Sequence, residues 1–285
     1  MRGTEGPHNG AVRTLLLLAL GVVAVSLSGP LMAAMVVPPL AIAFWRNGLA
    51  TAALGPGVAG GRRAELRALR GPGLRTVLLS GVALAVHFAT WVTSLTMTSV
   101  ASATAIVCLQ ILWVVAWQLL HGERFDRRVV AGMALALAGV LVVSGVDLTL
   151  SARALAGDLL ALVGGVAAAA YMLIGSRARQ ALSTTTYTFV CYGTCALLLL
   201  VACVATGQRL WGYPAPQWGL LLLVTVTAQL MGHSVFNHLL ATLPAVVVSL
   251  TLLLEVPGGP CSRRRSSGRC RRWERSSDWP SSWPG

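Results

Sequence analysis

TSVASATAIVCLQILW, residues 98–113, has a counterpart in LPAVVVSLTLLLEVPG, residues 243–258, at an offset of 145 residues. Each segment opens on small residues, continues as an aliphatic run, and then carries one polar side chain, Gln110 in the first and Glu255 in the second. Four apolar stretches bring the chain to Leu120 and a fifth follows, so the repeating unit is five helices. An odd-numbered membrane unit repeated in tandem must insert upside down the second time. Inverted repeats of this kind enclose a site near the bilayer midplane.

The composition requires a membrane for these stretches. The chain is 55% hydrophobic and 11% charged, far from an ordinary soluble domain. Spans are predicted at 14–34, 38–58, 74–95, 99–120, 128–146, 156–174, 185–206, 216–237 and 240–257. A bilayer core of about 30 Å takes roughly 20 residues per helix. No period-two alternation recurs, which disfavours a transmembrane barrel. Arg13 followed by LLLLALGVVAV resembles a signal sequence, but no A-x-A site follows it, so the first helix is expected to stay uncleaved. The predicted fold is an all-α polytopic membrane protein of two inverted five-helix repeats, over 12–146 and 155–257. The second is truncated, leaving nine helices of an expected ten.

A net charge of +13 would point to nucleic acid in a soluble protein. Its placement points elsewhere. With a cytoplasmic N-terminus, arginines 2, 13, 62, 63, 67, 70, 75, 124, 127, 128, 177 and 179 fall inside, and only Arg153 and Arg209 fall outside. This positive-inside pattern predicts a multi-pass protein of the bacterial cytoplasmic (inner) membrane, with the lipid bilayer and not nucleic acid as its partner. Every cation is Arg and none is Lys, as in a GC-rich genome. Cys108, Cys191, Cys195 and Cys203 lie within spans without a C-x-x-C. Cys191 and Cys195 share a helix face and would suit a metal pair, but thiols in such places pack as small hydrophobes. No metal or cofactor is predicted.

Nine short motifs in order carry a family resemblance: SGPLMAA (28–34), AFWRN (43–47), HFATWVTSL (87–95), TSVASATAIVCLQILW (98–113), LLHGE (119–123), GMALALAGVLVV (132–143), GDLLAL (157–162), GHSVFNHLL (232–240) and LLLEVPG (252–258). Through them the chain resembles the EamA-like branch of the drug/metabolite transporter superfamily over residues 12–258. The resemblance implies a ten-helix fold of two inverted five-helix repeats. It also implies secondary transport of small metabolites without ATP hydrolysis. One departure is visible: the family often has Pro after Gln110, and Ile111 stands here, which predicts a straighter helix locally.

Polar residues inside spans nominate the site. Arg46, eight residues into the second span, costs about 2.5–3.5 kcal/mol at a helix centre, so it should face the bundle interior and find a partner. It reads as a substrate or proton-pathway residue suited to a carboxylate, flanked by Trp45 and Asn47; the alternative is snorkelling or a structural ion pair. His87 and Trp91, four apart, share a helix face. His can titrate near neutral pH, and Trp can hold a cation. His233 and Asn237 repeat that spacing, with interhelical hydrogen bonding the stronger reading. Glu255 is taken as the one carboxylate within a span and a proton carrier, while Gln110 in the matching place cannot titrate. Tyr171 is a secondary cavity candidate, as is Tyr192, with aromatic packing the stronger reading for each.

No constellation supports catalysis, since there is neither a G-x-x-x-x-G-K loop nor an H-E-x-x-H helix. The expected function is therefore secondary transport, export of a small metabolite by alternating access, with a proton as candidate coupling ion and a homodimer as candidate assembly. The alternatives are a membrane-embedded enzyme acting on a lipid-like substrate, or a non-functional frameshifted remnant. Residues 258–285 form a basic tail expected to be disordered; positions 259–285 hold 7 of the 22 arginines and 3 of the 9 tryptophans. Read one base earlier from Pro260, with codons ending in G or C, the tail becomes ALLAAAVLGEVPPVGAVLGLALVLAG. Its VLGEVPP and GLALVLAG parallel LLHGERF (119–125) and GMALALAG (132–139). A one-base frameshift near codons 258–259 is the resulting expectation, with transport impaired in this copy.

Overall fold

Prolines and serines set where the helices begin. Pro39, Pro72 and Pro216 occupy first-turn positions, where a missing N–H removes no helical bond. Ser99, Ser151 and Ser183 accept from the backbone N–H three residues on and so cap their helices. The computed structural model describes residues 7–144 and 151–258, which form helices and connectors. The helices are α1 (Pro7–Ser26), α2 (Ser28–Ala33), α3 (Pro39–Gly61), α4 (Arg63–Ala68), α5 (Gly71–Ser94), α6 (Val100–Cys108) and α7 (Gln110–Leu120). Then come α8 (Arg127–Ser144), α9 (Ala152–Arg179), α10 (Thr184–Ala205), α11 (Ala215–Val224), α12 (Ser234–Leu239) and α13 (Ala245–Leu252). A π segment (Thr225–His233) joins α11 to α12, and a 3-10 turn (Leu253–Gly258) follows α13. No strand occurs among the described residues.

These helices form nine rods, one for each predicted span, with α4 as a connector. Six rods are long and apolar enough to cross a membrane: Gly10–Ala33, Gly71–Ser94, Val100–Leu120, Ala152–Arg179, Thr184–Ala205 and Ala215–Leu239. Among the described residues, the second and ninth rods fall short for visible reasons. α3 carries Arg46 and Asn47 near its middle and four glycines with Pro56 in its last turns. The apolar helix of the ninth rod runs Ala245–Glu255, only about 16 Å at 1.5 Å per residue. It begins later than the predicted 240, because Leu240–Leu243 form a turn and Pro244 caps the helix. The tail beyond Gly258 lies outside the described residues.

Four rods are interrupted, each for a local reason. Pro30 cannot donate to Ser26, and the first rod breaks at Leu27. In the fourth, Leu109 bonds Ile106 O and Leu112 bonds Leu109 O, a three-residue tightening that separates α6 from α7. This corrects the expectation of a straighter helix: the break is present with Ile111 in place of proline. In the eighth, the Thr225 and Thr227 hydroxyls bond carbonyls four residues back, and Ser234 Oγ bonds Gln229 O five back. Such back-bonding loosens an α-helix, here into π geometry. In the ninth, α13 gives way to the 3-10 turn at Leu253.

Side chains small enough to admit a neighbouring backbone bring the rods together. α5 packs along α9, and α3 along α10; α10 also meets α5. α1 packs on the π segment, α6 and α7 on α9, α7 on α13, and α6 on the 3-10 turn. At Gly81 on α5 a Cβ would stand 2.6 Å from Thr194 Cβ and 2.9 Å from Cys191 O of α10, a clash that no flexible tip relieves. The connectors sort to two ends. The charged end holds α4, the start of α5 and the end of α9. The opposite end is sewn by Val36 N to Gln217 Oε1, Arg153 Nη2 to Thr96 O, and Ser102 Oγ to Asp158 Oδ1.

Candidate functional site

Two polar networks meet in the middle of the bundle. Arg46 centres the first. It is 0% exposed, so it does not snorkel, and its place on the buried stripe Ala43–Asn47–Ala50 of α3 turns it inward. Its Nε donates to Gln229 Oε1 at 2.9 Å and its Nη1 to Ser28 Oγ at 3.0 Å, while the guanidinium lies 4.2 Å from the centroid of the Phe88 ring. Gln229 Nε2 donates in turn to Asn47 Oδ1. Nη2 is buried without a hydrogen-bond partner. No carboxylate closes an ion pair with Arg46, because the single salt bridge among the described residues is Arg62–Glu65.

The second network holds the cavity wall. Tyr171 OH donates to Asn237 Oδ1 at 2.7 Å, Asn237 Nδ2 donates to Tyr192 OH, and that hydroxyl lies 3.1 Å from Ser234 Oγ. Ser234 bonds Gln229 O, which joins the two networks through the π segment. π turns inside α-helices recur at functional sites, and this one presents Gln229 and His233 to the bundle. His87 Nδ1 sits 3.0 Å from Gly164 O; a carbonyl only accepts, so the neutral ring carries its proton there and Nε2 is an acceptor. The His87 ring stacks on Trp91 at 5.6 Å and lies 6.5 Å from His233.

Between these groups lies a cavity lined by Ser28, His87, Trp91, Cys108, Gln110, Tyr171, His233, Asn237 and Glu255, among others. It offers about 40 Å³ to the centre of a water molecule, room for roughly three waters and no metabolite. Two donors at this centre stand buried without partners, Trp91 Nε1 on the wall and Arg46 Nη2 behind Ser28. Glu255 is half-buried at the breakpoint of the ninth rod, opposite Gln110 at the breakpoint of the fourth. Cys108 Sγ donates to Leu252 O across the two breaks. Among the described residues no three His, Cys, Asp or Glu side chains gather as metal ligands. The lining offers hydrogen-bond donors and acceptors together with one carboxyl, and no nucleophile–base pair forms among the described residues of the cavity.

The predicted site residues thus divide. His87, Trp91, Gln110, Asn237 and Glu255 line the cavity, together with Tyr171 and His233. Arg46 stands one bond behind the wall, and Asn47 orients Gln229. Trp45 belongs elsewhere: its Nε1 donates to Leu210 O, and its ring packs on Trp211 and Trp218 at the opposite end. Glu255 is not the only carboxylate within a rod, since Asp158 lies inside α9, half-buried against Ser102. Gln229, Ser28, Phe88 and Ser234 lie outside the residues singled out from sequence, whereas Tyr192, like Tyr171, reads there as a cavity candidate with aromatic packing the stronger reading. Gln229 carried a legible signal, an amide within the apolar run of the eighth span, as Gln110 did in the fourth. Ser28 and Phe88 carried none.

The sequence pattern of the EamA-like transporter family matches residues 12–145 and 155–256. None of the curated proteins compared with the chain matches it. A crystal structure of another protein is similar in fold, with a TM-score of 0.66 at 19% identity over 87% of this chain and 86% of its own.

Proposed function

The chain belongs to the EamA-like transporter family, whose members are membrane transporters, and from that premise we propose that it exports a small polar metabolite by alternating access. The single observation that carries this is the central cavity, where five predicted residues from four rods converge on a space too small for a metabolite. A closed space of this kind is what a carrier passes through between its two open forms. The pairing of rods supports two inverted five-helix units. Exchanging rods one to four with six to nine turns the α5–α9 contact into that of α1 with the eighth rod. It also maps α3–α10 and the fourth–ninth rod contact onto themselves. The breaks at Leu109 and Leu253, close to the 145-residue offset, support it as well.

In this reading Glu255 takes and releases a proton while Gln110 holds the substrate from the other unit, and Arg46 supplies an uncancelled positive charge. The arginine-rich end faces the cytoplasm of the bacterial inner membrane. Metabolite efflux from vesicles containing the purified protein tests this: efflux accelerated by an imposed proton gradient is expected, and a chemically altered product without efflux overturns it. A second reading, of a copy impaired in transport, is favoured by the short apolar helix of the ninth rod. Sequencing the gene across codons 258–259 and comparing counterflow of the two frames decides it. Equal activity removes that reading.

A further inference from the structure

At the charged end a second pocket, of about 500 Å³, opens between α4, α5 and α9. Its rim carries Arg70 and Arg177, and its deeper wall carries Leu79 and Ile174. Both helices give the same order of chemistry with depth. On α9, Ile174 lies about 4.5 Å below Arg177, and on α5, Leu79 lies about 12 Å below the first residue, at 1.5 Å per residue. Leu79 is 57% exposed toward the surrounding lipid, so the apolar half of the pocket is open sideways. Such a graded wall fits an amphiphile and not a soluble anion.

Charge selects the headgroup. Among the described residues neither Arg70 nor Arg177 forms an ion pair. Glu65, the one acid on the rim, is already engaged: Ser183 N, Ser183 Oγ and Thr186 Oγ1 all donate to its carboxylate, and Arg62 stands beside it. Partial burial works to raise the Glu65 pKa, but these bonds and the Arg62 charge outweigh it and hold the carboxyl below the usual range. The acid therefore stays ionised and committed to the start of α10, leaving two forked cations facing the pocket. Guanidinium forks match phosphate oxygens, and basic pockets between membrane helices at a charged face take anionic lipid headgroups. We propose that this pocket is a binding site for an anionic phospholipid, its phosphate between Arg70 and Arg177 and an acyl chain along Leu79 and Ile174.

Native mass spectrometry of the purified full chain tests the site with phosphatidylglycerol and phosphatidylcholine as probes. The chain is expected to retain phosphatidylglycerol over phosphatidylcholine. Arg70→Gln and Arg177→Gln should each weaken that retention roughly fivefold, and the double variant on the order of thirtyfold. Arg63→Gln with Arg67→Gln, at the same end but outside the pocket lining, should leave it unchanged. Equal retention of the two lipids overturns the proposal, as does an equal loss in the Arg63/Arg67 variant. Displacement of the lipid by soluble glycerol phosphate overturns it as well, because the site would then read phosphate alone. If the double variant does not fold, the two single variants and the glycerol phosphate competition decide the question in the same way.

Discussion

The centre of the bundle and its charged end both hold arginine, and they treat it in opposite ways. At the centre, one guanidinium is enclosed, and its bonds end on the neutral atoms of Gln229, Ser28 and Met32. At the end, Arg62, Arg63, Arg67, Arg70 and Arg177 stand exposed, and the single described ion pair is there. A cancelling carboxylate would be worth most at the centre, where a bare cation is expensive. It is found instead where water already screens the charge. The centre therefore keeps a cation and a separate carboxyl, Glu255, available to a third party. The end uses its only committed acid to fasten a connector.

Arg46→Leu is the most severe test of that contrast. Loss of charge-assisted bonds is expected to slow counterflow on the order of a hundredfold, with the protein still eluting as a folded species in detergent. Arg46→Lys keeps the charge without the fork and should recover only part of the rate. Full activity in Arg46→Leu would make the buried cation structural and erase the distinction. Glu255→Gln comes next. Efflux should fall about tenfold, the scale of one well-placed charged bond, and should no longer respond to a proton gradient; a response that persists would remove the carboxyl from the coupling step.

Smaller effects are expected from the cavity wall. Tyr171→Phe leaves Asn237 Oδ1 without its donor, and thermal unfolding in detergent should register a loss of about 0.6–1.7 kcal/mol, the range seen for interhelical bonds in membranes. The smallest effect belongs to the charged end, in Glu65→Gln. The folded Glu65 pKa lies below its ordinary value of 4.5, so its stabilisation is present above that value and disappears as pH falls through the lowered one. The variant should melt below the parent at neutral pH, and the two curves should converge in acid. A gap that widens in acid would reverse the assigned sign.

Much of this architecture was legible because hydrocarbon imposes a coarse code. Nine apolar stretches became nine rods, and intramembrane polar residues converged, since each must find company inside the bundle. His87 and Trp91 were readable from a four-residue spacing alone. The breaks were less so. Pro30 announces one, but no proline or glycine stands beside Leu109, and the bond from Cys108 Sγ to Leu252 O across that break is visible only in the fold. Gln229 is readable as an amide within an apolar run, but its weight comes from its bond to Arg46, which sequence does not show. Trp45 failed in the other direction: adjacency to Arg46 in sequence places a side chain about 100° away around a helix.

That last angle gives the wide turn of the eighth rod a consequence. A π turn spans one residue more than an α turn, so the segment acts as an inserted residue whose effect passes down the chain. Shorten it to α geometry and everything after it rotates by about 100°. His233 and Asn237 would then swing away from Tyr171 and His87, and the ninth rod would leave the eighth on a different heading. A single residue's worth of slack, held open by Ser234 and two threonine hydroxyls, sets the azimuth from which a third of the cavity lining is built.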